Sequence, residues 1–296
     1  MALTLAEGAK LSNDVLLEGV IETVINDSPV LQRLPFIEIV GNGLTYNREN
    51  AAATAAYYAV GDTWTESTPT FTQVTAALKI LGGDADVDNY LARTRNNVQD
   101  LEAAVVALKA RAVQQQFDDT FVNGDTAADA DAFDGIDKLC VAGQTVAMGT
   151  NGATLTLGKL DELIDTVRGG KPDMILVSRR TRRSLNALSR ATGSGILEQD
   201  RDEFGHVVQF YNGIPVGVND YIDDAQTVGT SDDCSTVYAL QFGEGGMAGL
   251  TGPGGLTVER VGSLETKDAT RIRVKWYVAT ALFNTLKLAK LTGVRP

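Results

Sequence analysis

Apolar positions recur at helical spacing over residues 11–27, where Leu17, Val20, Ile21 and Val24 share one face and Ser12 stands at an N-cap position. Pro29 and Pro35 then predict extended chain. Beyond Val40 the period changes from helical to two. Leu44-Thr45-Tyr46 alternates as a strand, and so does Thr70-Phe71-Thr72-Gln73-Val74. Gly61-Asp62 and Ser67-Thr68-Pro69, between those runs, are turn chemistry. The pattern predicts a long β-hairpin over 41–78, rich in Ala, Thr and Tyr and without a lysine. Two strands own no core, and an isolated hairpin is marginal in water. The expectation is an arm that packs on a neighbouring copy of the chain.

Near Gly82-Gly83 the pattern changes again. Val98, Leu101, Val105, Leu108 and Ala112 recur every three or four residues and predict a helix over Asn97–Phe117, with Gln114-Gln115-Gln116 near its end. Such a helix is about 30 Å long, a spine for the molecule. Phe121-Val122-Asn123-Gly124-Asp125, an Ala/Asp loop and Phe133-Asp134-Gly135-Ile136 follow. The Gly/Thr-rich stretch 140–155 reads as a boundary. From 157 onward the pattern is α/β: a helix Leu157–Arg168 ended by Gly169-Gly170, a buried strand Met174–Val177, and a helix capped by Ser178 and running to about Ser189. An exposed loop is predicted at 192–205. Strands are predicted at Val207–Tyr211, Pro215–Asn219 and Val237–Phe242, then a loop at Gly243–Gly255. Alternating strands Leu256–Val261 and Thr270–Ala279 and an apolar run Ala281–Leu291 close the chain. No repeat of fixed period occurs.

Composition narrows the classes. A chain of 296 residues with 44% hydrophobic content builds a sizeable core of one or two domains. No stretch approaches the roughly 20 apolar residues that span a bilayer. MALTLAEGAKLSND is too polar for a signal-peptide core, so nothing points to export or to a membrane. Cys140 and Cys234 make no disulfide framework. With 26 basic and 38 acidic residues the net charge is −12, which argues against nucleic acid as the main affinity partner.

Candidate chemistry is sparse. The single histidine, His206, lies at the edge of a predicted loop with no nucleophile elbow nearby, and it reads as an ordinary surface residue. One His and two distant Cys do not make a zinc set. Asp84-x-Asp86-x-Asp88 resembles the start of a calcium loop, but Asn89 stands where Gly is needed and Arg95 where Glu is needed. Asp129-x-Asp131 breaks off at Phe133. Both are predicted to be solvated loops, with a weak calcium site at a subunit contact left open. Gly158-Lys159 runs into Leu160, and Gly252-Pro253-Gly254-Gly255 opens no helix, so neither is a phosphate loop. No catalytic residue, metal or cofactor is predicted. The one basic cluster is Arg179, Arg180, Arg182 and Arg183. Arg179, Arg182 and Arg183 share a helix face, either solvated or a rim facing a neighbour's acids or enclosed DNA.

The order of parts, with FVNGDTAADADAFDGI (121–136), DMILVSRRTRRSLNAL (173–188), YNGIPVGVNDYI (211–222) and VYALQFGEGGMAGL (237–250), resembles the major capsid protein of tailed bacteriophages, the fold named after phage Hong Kong ninety-seven. The resemblance covers nearly the whole chain and implies an α+β phage major capsid fold. It assigns an N-arm to 1–40 and an extended β-hairpin loop to 41–78. A peripheral domain with the long spine helix takes 79–145 and 256–280. An α/β axial domain takes 146–255 and 281–296. The implied function is structural: self-assembly into pentamers and hexamers of an icosahedral phage head enclosing double-stranded DNA, assembled in the host cytoplasm. Some relatives join subunits through a lysine of the extended loop, yet no lysine occurs here between Lys10 and Lys79. Some also begin with a long scaffolding segment. This chain reaches its arm by residue 41, so a separate scaffolding protein, or none, is implied.

On this reading Tyr46, Arg48, Tyr57, Tyr58, Trp64 and Glu66 of the arm, with Arg179, Arg182 and Arg183, are the candidate contacts between copies. Aromatic residues dominate interface hot spots. The implied partners are copies of the chain, packaged DNA by weak contact, and portal, decoration or scaffolding proteins. Two rivals remain. One is an encapsulin-type shell that encloses enzymes. The other is a soluble α/β enzyme over 146–256, which a loss of activity on changing Asp125 or Asp134 would revive.

Overall fold

The computed structural model describes residues 28–51, 54–95, 101–192, 197–201 and 207–296. The expected helix over 11–27 and His206 lie outside the described residues. Ser28 opens the described chain. Its hydroxyl accepts from the Leu31 N–H at 3.2 Å and caps a one-turn helix, α1 (Pro29–Arg33). Extended chain was expected at Pro29. The proline instead occupies the first helical turn, where its missing N–H costs nothing.

Two larger sheets and a hairpin follow. The first sheet is built around β15 (Ala269–Leu282), 14 residues long. Along one edge it pairs with β4 (Lys79–Asp88), from Val278↔Lys79 to Ala269↔Asp88. Along the other edge lie β14 (Thr257–Ser263) and β13 (Met247–Thr251), and β1 (Phe36–Glu38) adds to β13 in parallel. The second sheet runs β5 (Thr145–Ala147), β16 (Leu288–Arg295), β12 (Ser231–Leu240), β7 (Met174–Val177), β10 (Ile214–Val218), β9 (Val207–Tyr211) and β8 (Leu197–Arg201). β6 (Ala153–Thr154) and β11 (Gln226–Val228) attach to β16 and β12. The hairpin pairs β2 (Gly43–Ala51) with β3 (Thr70–Ala77), from Gly43↔Ala77 to Ala51↔Thr70.

Several expectations give way to strands. Asp84, Asp86 and Asp88 sit on β4 and not in a loop. Ala85 and Val87 between them are buried, so the DADVD pattern is the alternation of a half-buried strand. Asp86 takes both Nε and a terminal nitrogen of Arg271 at 2.6 and 2.8 Å, and Asp84 does the same with Arg273 at 2.6 and 2.9 Å. These arginine hydrogen bonds hold both carboxyls below the usual carboxylate range. β8 occupies part of the predicted loop 192–205, and β13 part of the predicted loop 243–255. β13 lies inside the range expected for the axial domain, yet it bonds into the first sheet. The boundary stretch 140–155 contributes β5 and β6 to the second sheet.

After α2 (Asn89–Arg95), the long helix is α3 (Leu101–Asn123), six residues longer at its C-terminal end than expected. Val98 lies outside the described residues, Val105 and Leu108 are half-buried, and Ala112 is exposed. The buried line passes instead through Val113, Phe117 and Phe121, with Gln115 and Gln116 facing solvent. Phe117 is fully buried and meets Phe36, Phe121, Phe133 and Trp276 at ring distances of 5.0 to 6.1 Å. The end of α3 is thereby wedged among residues of both sheets, including Leu176, Tyr238 and Leu240 of the second and Val278 and Leu282 of the first. The opposite face of the second sheet carries α5 (Leu157–Thr166) and α6 (Arg179–Thr192), through Leu160, Leu163, Ile164 and Leu185.

The Asn-Gly-Asp and Asp-Gly-Ile pieces are the two ends of one closed loop, followed by α4 (Ile136–Leu139). The Gly135 N–H donates to the Gly124 carbonyl at 2.8 Å. A Cβ on Gly124 would lie 2.2 Å from the Phe133 carbonyl oxygen, and one on Gly135 would lie 2.7 Å from three backbone atoms. Lys138 bridges Asp125 at 2.5 Å and Asp134 at 2.8 Å. Burial raises the Asp134 carboxyl, but Lys138 and Thr126 outweigh it, and Lys138 likewise lowers Asp125. Both acids are held ionised as loop fasteners.

A Gly135→Ala change must displace backbone, so it is expected to destabilise the chain by about 3 kcal/mol. Urea unfolding of the full chain followed by tryptophan fluorescence measures this, and the surface control Gly143→Ala, with open space around its Cβ, should unfold like wild type.

Candidate subunit-contact surface

The hairpin divides into a bound root and a free tip. At the root, Leu44, Tyr46 and Ala76 pack against the main core. The Leu282 carbonyl, at the end of β15, accepts from the Tyr46 hydroxyl at 3.1 Å and from Arg48 at 2.5 Å. The Tyr46 ring meets Phe283 edge-on at 4.9 Å, and Arg48 lies 5.9 Å from the centre of the Tyr46 ring. Thr45 and Thr75 share a hydroxyl hydrogen bond of 3.1 Å across the two strands. Tyr46 and Arg48, expected as contacts between copies, are therefore engaged by their own chain. They fix the angle at which the hairpin leaves the body.

Among the described residues, the tip, residues 54–69, is bonded only to itself. Asp62 accepts from the Ala59 N–H at 2.7 Å across a turn in which Gly61 has φ of +98°. Ser67 accepts from the Thr54 N–H at 2.9 Å. Tyr58 stacks on Trp64 at 4.4 Å with a 25° interplanar angle, and its hydroxyl accepts from the Thr65 N–H at 3.2 Å. These contacts give the tip a shape without covering it. Tyr57 and Val60 are fully exposed, Trp64 is 78% exposed, and Phe71 on β3 is 65% exposed. Isolated exposed apolar residues are ordinary, but four large ones on a single thin arm make a candidate interaction surface. Glu66 and Asp62 are exposed beside them, and no cation occurs from Glu49 to Leu78.

Tyr57, Tyr58, Trp64 and Glu66 thus share one tip, whereas the three arginines lie on α6, against the second sheet. Arg179 is paired with Asp220 through both nitrogens, one contact being 2.5 Å. Arg182 and Arg183 are exposed, with no carboxylate partner among the described residues. Arg180, which the shared-face argument left aside, turns the other way, toward Asp224 at 3.5 Å and the Val294 carbonyl. A second apolar surface escaped the sequence reasoning. Leu256 and, on β14, Val258 and Val261 are about half exposed. The run Val258-Glu259-Arg260-Val261 signals it, because spacing of three cannot put both valines on one face of a strand. Among the described residues no group of side chains could hold a metal ion, and no helix is long and apolar enough to cross a membrane.

Comparison with known proteins gives one family and a set of solved structures of similar fold. The profile of the phage capsid family matches residues 8–293. No curated protein matches significantly. Among solved structures, the holo-SrpI encapsulin complex from Synechococcus elongatus PCC 7942 is similar with a TM-score of 0.71 at 17% identity, over 91% of this chain and 89% of that one. A chain of Mycobacterium phage Adephagia is similar with a TM-score of 0.67 at 14% identity, over 100% and 99%. The capsid of the native GTA particle is similar with a TM-score of 0.64 at 15% identity, over 90% and 89%.

Removing the root clamp has a defined consequence. Arg48→Ala deletes a charged donor to Leu282, and such bonds contribute about 1.5–3 kcal/mol. Hydrogen exchange of amides 44–48 and 73–77 is expected to speed up about tenfold, with α3 unchanged.

Proposed function

The chain belongs to the phage capsid family and is a major capsid protein, and from that premise we propose that its copies join through the hairpin tip into rings of five and six that close an icosahedral head around double-stranded DNA. The observation that carries this is the tip itself: Tyr57, Val60, Trp64 and Phe71 are presented on an arm whose root is clamped and whose end its own chain leaves bare. A heterologous contact repeated about an axis closes a ring. A tip burying about 800 Å² of apolar surface on a neighbour would contribute up to ~20 kcal/mol gross, before ordering costs. Many such contacts then act together in one particle.

The division that fits this role is an N-arm over 1–40, an extended loop over 41–78, a peripheral domain over 79–145 and 256–280, and an axial domain over 146–255 and 281–296. Tyr57, Tyr58, Trp64 and Glu66 are the proposed contacts of the tip, and Arg179, Arg182 and Arg183 those of the axial rim. Copies of the chain are the principal partner. Packaged DNA touches the inner wall weakly, in keeping with a net charge of −12. A portal, a decoration protein and a separate scaffolding protein are the further partners proposed, with assembly in the host cytoplasm. A compartment that encloses a cargo enzyme is the second reading, favoured by the likeness to the SrpI encapsulin. Particles holding nucleic acid argue for the head, and small particles holding protein for the compartment.

Negative-stain electron microscopy of the expressed chain tests the assembly. The wild type is expected to form shells or capsomer rings, and Tyr57→Ala/Trp64→Ala to lower their yield at least tenfold, since both side chains are exposed and neither packs on the body of the chain. Equal yields would overturn the role of the tip; monomers from the wild type, with any scaffold supplied, would overturn the head. With no lysine in the hairpin, the particles are expected to fall to single chains in SDS without heating.

A further inference from the structure

Asp118 is a carboxyl in the wrong surroundings for a charge. It lies on α3 one residue beyond Phe117 and is only 8% exposed. Among the described residues one side chain bonds it: the Ser28 hydroxyl, at 2.5 Å, is also the cap of α1 and is itself 4% exposed. Just beyond this contact Val30 is completely buried and Leu34 nearly so, so α1 is seated in the core. The other titratable groups here are Arg33 on α1, Asp119 on α3, and Tyr221 and Asp220 in the turn after β10. Asp220 is paired with Arg179, and the charge of Asp118 helps push the Tyr221 phenol up. Among the described residues no cation is bonded to Asp118.

We propose that Asp118 is a proton-operated latch holding α1 against the long helix. Protonated, the carboxyl shares its hydrogen bond with Ser28 and brings no charge into the core. Ionised, it is a buried anion with one neutral donor, and the free-energy cost falls on the contact between α1 and α3. Burial pushes its pKa up to about 6, against 3.8 when solvated, even though Ser28 pulls the other way. The sign follows from those two values. The undocked carboxyl ionises from pH 3.8 and the docked one only from about 6. Docking is therefore strongest below pH 4, weakens across pH 3.8 to 6, and is level above it, about a hundredfold in all. At neutral pH α1 is loosely held against α3, and acid locks it there.

The latch is read on the single chain, so its failure is distinct from failure to form shells. Hydrogen exchange of the Leu31 and Leu34 amides is measured on the full-length protein at pH 5 and 7.5, corrected for intrinsic rates. Wild type is expected to lose about tenfold in protection at the higher pH, and Asp118→Asn to show none of that loss. Protection independent of pH in wild type, or an equal slope in Asp118→Asn, overturns the latch. Should Asp118→Asn not fold, a carbon-13 titration of wild-type aspartate carboxyls decides. One resonance moving near pH 6, and moving higher in Ser28→Ala, sustains it. All carboxyls titrating near 4 overturn it.

Discussion

Everything in this molecule rests on the burial of the last two turns of α3. Phe117 and Phe121 carry no exposure at all, and Val122 almost none. Through them the first sheet, the second sheet and α1 share one core, which neither sheet could close alone. The aromatic rings around Phe117 come from β1, β15 and the loop after α3, elements that lie far apart in sequence. Large buried aromatics supply the greatest apolar area per residue, which suits a joint between layers. The same wedge sets the position of the Gly124–Gly135 loop on one side and of Asp118 on the other.

The hairpin shows how a rigid body can present a surface it does not need for its own stability. Its root is joined to the body by Tyr46, Arg48 and the Leu282 carbonyl, and its tip keeps its shape through one turn and one ring stack. For the proposed docking, a pre-formed tip lowers the entropy that would be lost on contact. That is why Trp64 can be both ordered and 78% exposed.

Charge in this chain is mostly local fastening. The acids on β4 are neutralised by arginines directly across on β15, and Asp125 and Asp134 by one lysine. Asp88 caps α2 through the N–H groups of Tyr90 and Leu91. Asp118 stands apart because it is buried and, among the described residues, bonded only to a hydroxyl.

Local patterns were legible without coordinates. Alternation and turn residues are properties of a few neighbouring positions, so the hairpin, α5, β7 and most of α6 could be read directly. The free tip followed as well, because the 18 residues between the strands contain nothing that builds a core. Which side of α3 is buried did not follow. Its stripe of Val and Leu looked sufficient, but Phe117 and Phe121 face two sheets whose strands come partly from before the helix and partly from far beyond it. The DADVD run looked like a loop until Arg271 and Arg273 stood opposite, and β8 and β13 became strands only beside β9 and β15. Tyr46 and Arg48 had the composition of contact residues, and only the Leu282 carbonyl, more than two hundred residues away, turned them inward. Sequence alone determined what each segment could form. Tertiary structure decided what each side chain meets, because burial and hydrogen bonding depend on partners that no local pattern contains.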